Sequence, residues 1–175
     1  MIDRVFLARV RIEPLDRNRH DRAAFSCGDD RLDNFLKSTA ARQQDEDLTR
    51  VNVCCLDDSP VVVGYYALNS HFIDASTIPD PDRKKLPSYP TIPAIYLSKI
   101  GVQKEHQGSG LGQYLMAHAF GRCVDVANII GAHFLVLDAL NERAAKFYRR
   151  LGFVDLPGHE PRMLIKMSIV RKAAQ

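Results

Sequence analysis

No run of apolar residues in this sequence approaches the roughly 18 that a membrane-spanning helix requires. The first residues carry Asp3, Arg4, Arg9 and Arg11 inside their apolar pattern, so no signal peptide is visible. A soluble, cytoplasmic chain with no membrane partner is expected. The six histidines form no HxxxH pair, and the four cysteines, at 27, 54, 55 and 123, form no CxxC pair. Cys54 and Cys55 adjoin on an apparent strand and point to opposite faces, so they cannot hold one ion together. No metal is therefore expected, and the thiols read as reduced and mostly buried. Internal repeats and low-complexity tracts are also missing. What is present, 46% hydrophobic and 26% charged residues over 175 positions, suits one globular domain spanning 1–175. That length buries about two thirds of the unfolded surface without a metal or disulfide.

The formal net charge is +3, and it is unevenly spread. From Glu142 onward eight Lys and Arg face three acids, which leaves residues 1–141 net acidic. Such clustering is either a solvated helix face or a surface for a polyanion such as tRNA. Composition leaves both readings open.

Phe6, Ala8, Val10 and Ile12 alternate with other residues and predict a half-buried first strand. Asp29 and Asp30 stand where N-caps belong, ahead of Leu32, Phe35, Leu36, Thr39 and Ala40, so an amphipathic helix is expected to about Asp45. Val51 to Leu56 and Val61 to Asn69 read as a hairpin around Asp57-Asp58-Ser59-Pro60. Five prolines between Ile78 and Pro93 forbid a long helix or a central strand there, and leave a loop-rich insertion or a short helix near Asp82 to Leu86. Ala94 to Val102 is apolar enough for a central strand. A glycine turn then opens a helix with Leu111, Leu115, Ala119 and Cys123 on one face, ended by Gly131. His133 to Asp138 is the next strand, Asn141 to Leu151 a helix between an Asn N-cap and Gly152, and Phe153 to Leu156 and Met163 to Ile169 are final strands. The order describes an α/β or α+β domain with one mixed sheet.

The glycine turn carries the clearest chemistry. Gly108, Gly110 and Gly112, after a buried strand and before a helix, leave successive backbone N–H groups uncovered at the positive end of a helix dipole, which suits a phosphate. A P-loop would need Lys-Ser/Thr after the last glycine, where Gln113-Tyr114 stand. A dinucleotide fingerprint would need GxGxxG and an acid about 20 residues on at the end of a strand, and neither is present.

About thirty residues later comes Asn141-Glu142-Arg143-Ala144-Ala145-Lys146-Phe147-Tyr148-Arg149-Arg150-Leu151-Gly152-Phe153. Together with Gln107-x-x-Gly110-x-Gly112, this segment resembles the GNAT acyl-CoA N-acyltransferase superfamily over roughly residues 50–170. The resemblance implies a GNAT fold, with a mixed, mostly antiparallel central sheet flanked by helices, and acetyl-CoA as co-substrate without a metal. It implies that Gln107, Gly108, Ser109, Gly110, Leu111, Gly112 and Gln113 hold the pyrophosphate. Main chain at Ile100, Gly101 and Val102 would pair with pantetheine, Asn141 and Phe147 would line the cofactor site, and Tyr148 would stand at the thioester. Outside that core, His20-Asp21-Arg22, Phe25-Ser26-Cys27-Gly28, Leu32-Asp33-Asn34-Phe35-Leu36, Gly64-Tyr65-Tyr66-Ala67-Leu68 and Leu86-Pro87-Ser88-Tyr89-Pro90-Thr91-Ile92-Pro93-Ala94 are similar to the TacT/AtaT-type toxin acetyltransferases. Members of that group acetylate the amino group of aminoacyl-tRNA, stop translation, and are neutralised by a ribbon-helix-helix antitoxin. One departure is visible: Lys99-Ile100-Gly101-Val102 stands where Arg-Leu-Ala-Val is commoner.

Acetyl transfer needs a neutral amine, a polarised thioester carbonyl and a proton for the departing thiolate. Tyr148, with a reference pKa of about 10 against about 8.5 for a thiol, can donate that proton. Backbone N–H at Ile100 or Val102 can polarise the carbonyl. The strand from Ala94 to Lys104 carries no carboxylate, and only His71, Ser70 and Glu105 stand as weak candidates for a general base, which favours an α-amine (about 7.7–8.0) over a lysine (about 10.4) as acceptor. His20, His118 and His159 read as surface or packing residues. Lys84, Lys85, Lys146, Arg149 and Arg150 are expected to form the basic surface that meets tRNA. Competing readings are an acetyltransferase of a small amine or protein N-terminus, and a non-catalytic acyl-CoA-binding module. The sequence leaves open which aminoacyl-tRNA is used, whether a cognate antitoxin exists, and whether the chain forms a homodimer.

Overall fold

In the computed structural model, which describes residues 3–175, the chain does not begin with the expected strand. Asp3 accepts the Phe6 N–H at 3.0 Å and caps a short helix, α1 (Arg4–Leu7), so the first strand, β1 (Val10–Pro14), starts only at Val10. The apolar alternation at Phe6 and Ala8 is overruled by a local cap, which satisfies N–H groups that no neighbouring strand reaches. The elements that follow are α2 (Asp30–Asn34), a π-helical turn (Phe35–Thr39), α3 (Ala40–Asp45), β2 (Arg50–Leu56) and β3 (Gly64–Asp74). Then come a 3-10 turn (Ala75–Thr77), α4 (Asp80–Arg83), β4 (Thr91–Val102), α5 (Leu111–Ile129), β5 (Phe134–Asp138), α6 (Glu142–Arg150), β6 (Val154–Asp155), β7 (Arg162–Lys166) and α7 (Met167–Ala173).

The strands form one sheet in the order β1-β2-β3-β4-β5-β7-β6. β1–β2, β2–β3, β5–β7 and β6–β7 are antiparallel, whereas β4 and β5 run parallel, so the sheet is mixed and mostly antiparallel. Two further expectations are corrected. Pro93 lies inside β4: its missing N–H costs no bond to β5, because only its carbonyl is used there, accepting the His133 N–H at 2.8 Å. The last strand stops at Lys166, and Met167–Ala173 is a helix that buries Met167 and Val170, three residues apart, so a period of 3.6 prevails over the apparent alternation.

The chain packs as two compact units. The first comprises the described residues up to Asn69 together with Ser98–Ala119. Its core includes Phe25, Leu36, Val53, Val62 and Tyr65. Asp29 caps α2 by accepting the Arg31 and Leu32 N–H groups. Two side chains from outside brace this segment: Tyr65 Oη donates to the Leu32 carbonyl at 2.7 Å, beside the Phe35 N–H that the same oxygen accepts, and Arg22 Nη1 donates to that of Leu36 at 3.1 Å. The buried His20 ring is likewise spent on packing, Nδ1 accepting the Asp16 N–H and Nε2 donating to Glu13 at 2.8 Å. The second unit comprises Ser70–Leu97 and Phe120–Gln175, around Ile73, Ile92, Phe134, Val136 and Leu164. Among the described residues no helix is long and apolar enough to cross a membrane.

Candidate active site

In the first unit the turn between β4 and α5 has the geometry its glycines demand. Gly108 and Gly110 adopt φ of +82° and +93°, which side-chain-bearing residues rarely tolerate. Ser109 Oγ donates to the His106 carbonyl at 2.6 Å and fixes the turn, and Gln107 Nε2 donates to the carbonyls of Cys27 (2.7 Å) and Val102 (3.0 Å). The Gln107 amide is therefore committed to anchoring the turn on the end of β4. Among the described residues the backbone N–H groups of Gly108, Ser109, Gly110, Gly112 and Gln113 donate to no acceptor. Leu111, by contrast, is fully buried and holds the first turn of α5 in the core. Five N–H groups without an acceptor among the described residues, at the start of a 19-residue helix, fit a pyrophosphate.

β4 pairs with β5 only from Ala94 to Tyr96. Beyond Tyr96, the main chain running to Ile100, Gly101 and Val102 has no partner strand on that side among the described residues. Gly101 is more than a weak strand residue: a Cβ there would meet the Tyr65 ring at 3.2 Å and the Phe25 ring at 3.4 Å, tighter than ordinary packing. Lys99 is half-buried, its Nζ 5.0 Å from the centre of the Phe35 ring, and burial with the neighbouring Arg31 lowers its pKa.

The second unit carries Tyr148. Asn141 adopts an extended conformation and accepts the Ala144 N–H at 2.9 Å, so the N-cap role is filled. Gly152, at φ +102°, ends the helix. Tyr148 is 7% exposed, packed edge-on against Phe147 (5.3 Å) and Phe153 (5.7 Å). Its hydroxyl makes no hydrogen bond among the described residues, yet no buried side-chain polar atom is left without a partner, so the hydroxyl reaches solvent. Burial pushes its pKa up to about 12. It is a protonated group set in an apolar wall.

Lys84, Lys85, Lys146, Arg149 and Arg150 all lie in this unit and all are exposed. They are not equivalent. Arg149 donates to both Asp155 oxygens (3.0 and 3.1 Å) and to Glu142 (2.8 Å), so its charge is already matched. The other four have no carboxylate partner among the described residues. Of the weak base candidates, Ser70 and Glu105 are exposed. His71 Nε2 receives a hydrogen bond from Arg162 Nη1 at 3.2 Å, and burial followed by that guanidinium lowers its pKa, so its basic nitrogen is occupied. Among the described residues no group of three or more His, Cys, Asp or Glu could hold a metal ion.

With this geometry, residues 50–155 match the family described as "Acetyltransferase (GNAT) domain". A "Probable toxin TacT" from Sinorhizobium fredii is 38% identical over 167 residues, covering 91% of this chain and 92% of that protein. Among solved structures, AtaT complexed with acetyl-methionyl-tRNAfMet superposes with a TM-score of 0.86 at 30% identity, covering 95% of this chain and 99% of that one. A tyrosine-to-phenylalanine mutant of AtaT, bound to the C-terminus of the antitoxin AtaR and acetyl-CoA, gives 0.79 at 27%, covering 94% and 97%. The chain belongs to the GNAT acetyltransferase family and is an N-acetyltransferase. Within that family it groups with the TacT- and AtaT-type toxins.

Proposed function

We propose that this protein is a toxin that uses acetyl-CoA to acetylate the α-amino group of an aminoacyl-tRNA, blocking translation, and that a ribbon-helix-helix antitoxin neutralises it. The observation that carries the reading is the five-N–H glycine turn and the solvent-reaching Tyr148 hydroxyl, on a chain that matches a tRNA-bound toxin over nearly its whole length. The antitoxin is supported by the AtaT complex with AtaR. Acetyl-CoA supplies the activated acetyl group and leaves as a thiol. The chain's own part begins with the N–H groups of Gly108 to Gln113, which hold the pyrophosphate. Main chain at Ile100 to Val102 orients the pantetheine arm. Tyr148 donates its hydroxyl proton towards the leaving sulfur. Moving a proton from the buried hydroxyl at about 12 to a thiolate whose thiol keeps its aqueous pKa near 8.5 is uphill by roughly 5 kcal/mol. A sulfur entering the same dry wall has its own pKa raised, which narrows the gap. No strong base is needed, because an α-amine near 7.7–8.0 is already substantially neutral at pH 7.5.

The test is acetyl transfer from labelled acetyl-CoA by purified protein to a mixture of charged tRNAs, with lysine peptides and small amines in parallel. Label in the aminoacyl-tRNA fraction is expected. Efficient labelling of peptides or small amines, with none on charged tRNA, would overturn the substrate assignment and leave the acetyltransferase. The glycine turn has its own measurement. Gly110→Val places a β-branched residue at φ +93°, and the acetyl-CoA Kd by calorimetry should rise at least about tenfold. Unchanged affinity would place the pyrophosphate elsewhere.

A further inference from the structure

The second unit holds a polar cluster that no feature of the sequence announces. Arg162, at the start of β7, donates from Nε to Asp138 Oδ1 (2.9 Å) and from Nη2 to Oδ2 (3.0 Å), a two-pronged guanidinium–carboxylate pair. Tyr96, on β4, donates its hydroxyl to Asp138 Oδ2 at 2.9 Å. His71, on β3, accepts from the remaining arm of Arg162 and packs on the Tyr96 ring at 5.1 Å, while the Arg162 guanidinium lies 5.5 Å from the centre of that ring. A guanidinium has only donors, so His71 is fixed in the tautomer that carries its proton on Nδ1. Four strands thus contribute one side chain each.

Its place in the sheet gives the cluster meaning. Tyr96 is the last β4 residue paired with β5, opposite Val136, and Asp138 ends β5 two residues later. The cluster therefore lies where the pairing of β4 with β5 stops, at the carboxyl end of β5 and partway along β4, and strand carboxyl ends are where open α/β sheets bind their ligands. Asp138 also ends the strand whose continuation, after Ala139 and Leu140, is the Asn141-capped helix that bears Tyr148. Asp138 is not buried: its side chain is 34% exposed, and Oδ1 receives one hydrogen bond where it can take two. Arg162 first, and then Tyr96, hold the carboxylate below its ordinary pKa against the opposing effect of burial, so it is an anion throughout the neutral range and an acceptor only. Arg162 balances its charge, so it attracts an amine N–H without strongly favouring the ammonium form that cannot react.

We propose that Asp138 is the acceptor-binding residue, taking a hydrogen bond from the substrate's α-amino group, and that Arg162, Tyr96 and His71 are positioning residues that aim it. This rests on the aminoacyl-tRNA reading above for the identity of the amine, though not for the role of the carboxylate. A pure sheet clamp would need no exposed, half-used oxygen at the strand mouth.

The experiment is steady-state kinetics of Asp138→Ala, Asp138→Asn and Tyr96→Phe on charged tRNA, with the acetyl-CoA Kd and thermal midpoint measured on the same preparations. Asp138→Ala should lower kcat/KM for the acceptor at least thirtyfold, mostly through KM, with acetyl-CoA affinity unchanged. Asp138→Asn keeps an acceptor oxygen and should recover part of the loss. Tyr96→Phe leaves Asp138 present but less firmly aimed, and should fall between. Activity of Asp138→Ala within twofold of wild type overturns the proposal, as does a loss of acetyl-CoA affinity equal to the loss of activity. Should Asp138→Ala not fold, Asp138→Asn decides alone by the same KM readout. If the wild-type protein acetylates another primary amine in place of charged tRNA, the same variants are assayed on that amine. The substrate reading then fails while the role of Asp138 is still decided.

Discussion

Tyr148→Phe should lower kcat for acetyl transfer by about 10²–10⁴-fold, the usual span for removing a proton donor, and leave the acetyl-CoA Kd almost unchanged. The structure makes this substitution unusually clean. The hydroxyl has no hydrogen-bond partner among the described residues, so removing it orphans none of their buried groups, and the ring keeps its edge-on contacts with Phe147 and Phe153. The thermal midpoint should accordingly move little. Because burial raises the hydroxyl's pKa to about 12, the group stays protonated at every pH at which the protein would be assayed. The wild-type pH–rate profile should therefore show a rise as the acceptor amine loses its proton and no alkaline fall due to Tyr148. Pre-steady-state acetyl transfer and calorimetry on the variant check both parts. Normal turnover by Tyr148→Phe would reduce the residue to packing.

The parts of this site that the sequence exposes are those made by one continuous stretch of chain. Gly108 and Gly110 are legible because the turn takes positive φ there, which glycine supplies at no steric cost, and Gly112 because a bare backbone in the first turn of α5 suits the close approach of a phosphate. Asn141 and Gly152 bracket the Tyr148 helix for equally local reasons. The cluster around Asp138 is invisible by the same logic. Its members stand at 71, 96, 138 and 162, and only the pairing of β3, β4, β5 and β7 brings them together.

The misread ends of the chain have a related cause. Phe6 and Ala8 satisfy a strand pattern, but the Asp3 cap wins because it acts within three residues, before any sheet partner is reached. Met163 to Ile169 alternates well enough for a strand, yet β5 can pair only as far as Lys166 opposite Phe134, and the residues beyond fold back as a helix. The π turn at Phe35–Thr39 leaves no mark in hydrophobic spacing, since it shifts the helix by one residue and is held by Tyr65 and Arg22 from elsewhere in the chain.

Charge reversal at Lys84, Lys85 and Arg150 together should cut acetylation of charged tRNA by a factor on the order of 10² or more and leave the acetyl-CoA Kd intact. The choice of residues follows from the ion pairs. Arg149 was expected to join the tRNA surface, but its guanidinium is held by Asp155 and Glu142, so changing it would release two carboxylates and confuse the result. Lys84 and Lys85 follow α4 in the proline-rich segment and Arg150 ends α6, all exposed and without a carboxylate partner among the described residues. Each contact with a phosphate releases a counterion, so log K for tRNA should fall with log[salt] by roughly 0.7–0.9 per contact, and the slope should become shallower by about that amount for every contact the variant loses. A small aminoacyl ester carries no such phosphates, so its acetylation, slow in the wild type, should not change in the variant. Filter binding of charged tRNA from about 50 to 200 mM salt, beside turnover on both acceptors, separates the outcomes. An unchanged salt slope with full activity on tRNA would show that these cations are only a solvated face. An equal loss on the small ester would show that the variant had damaged the site where acetyl transfer occurs rather than the surface that brings tRNA to it.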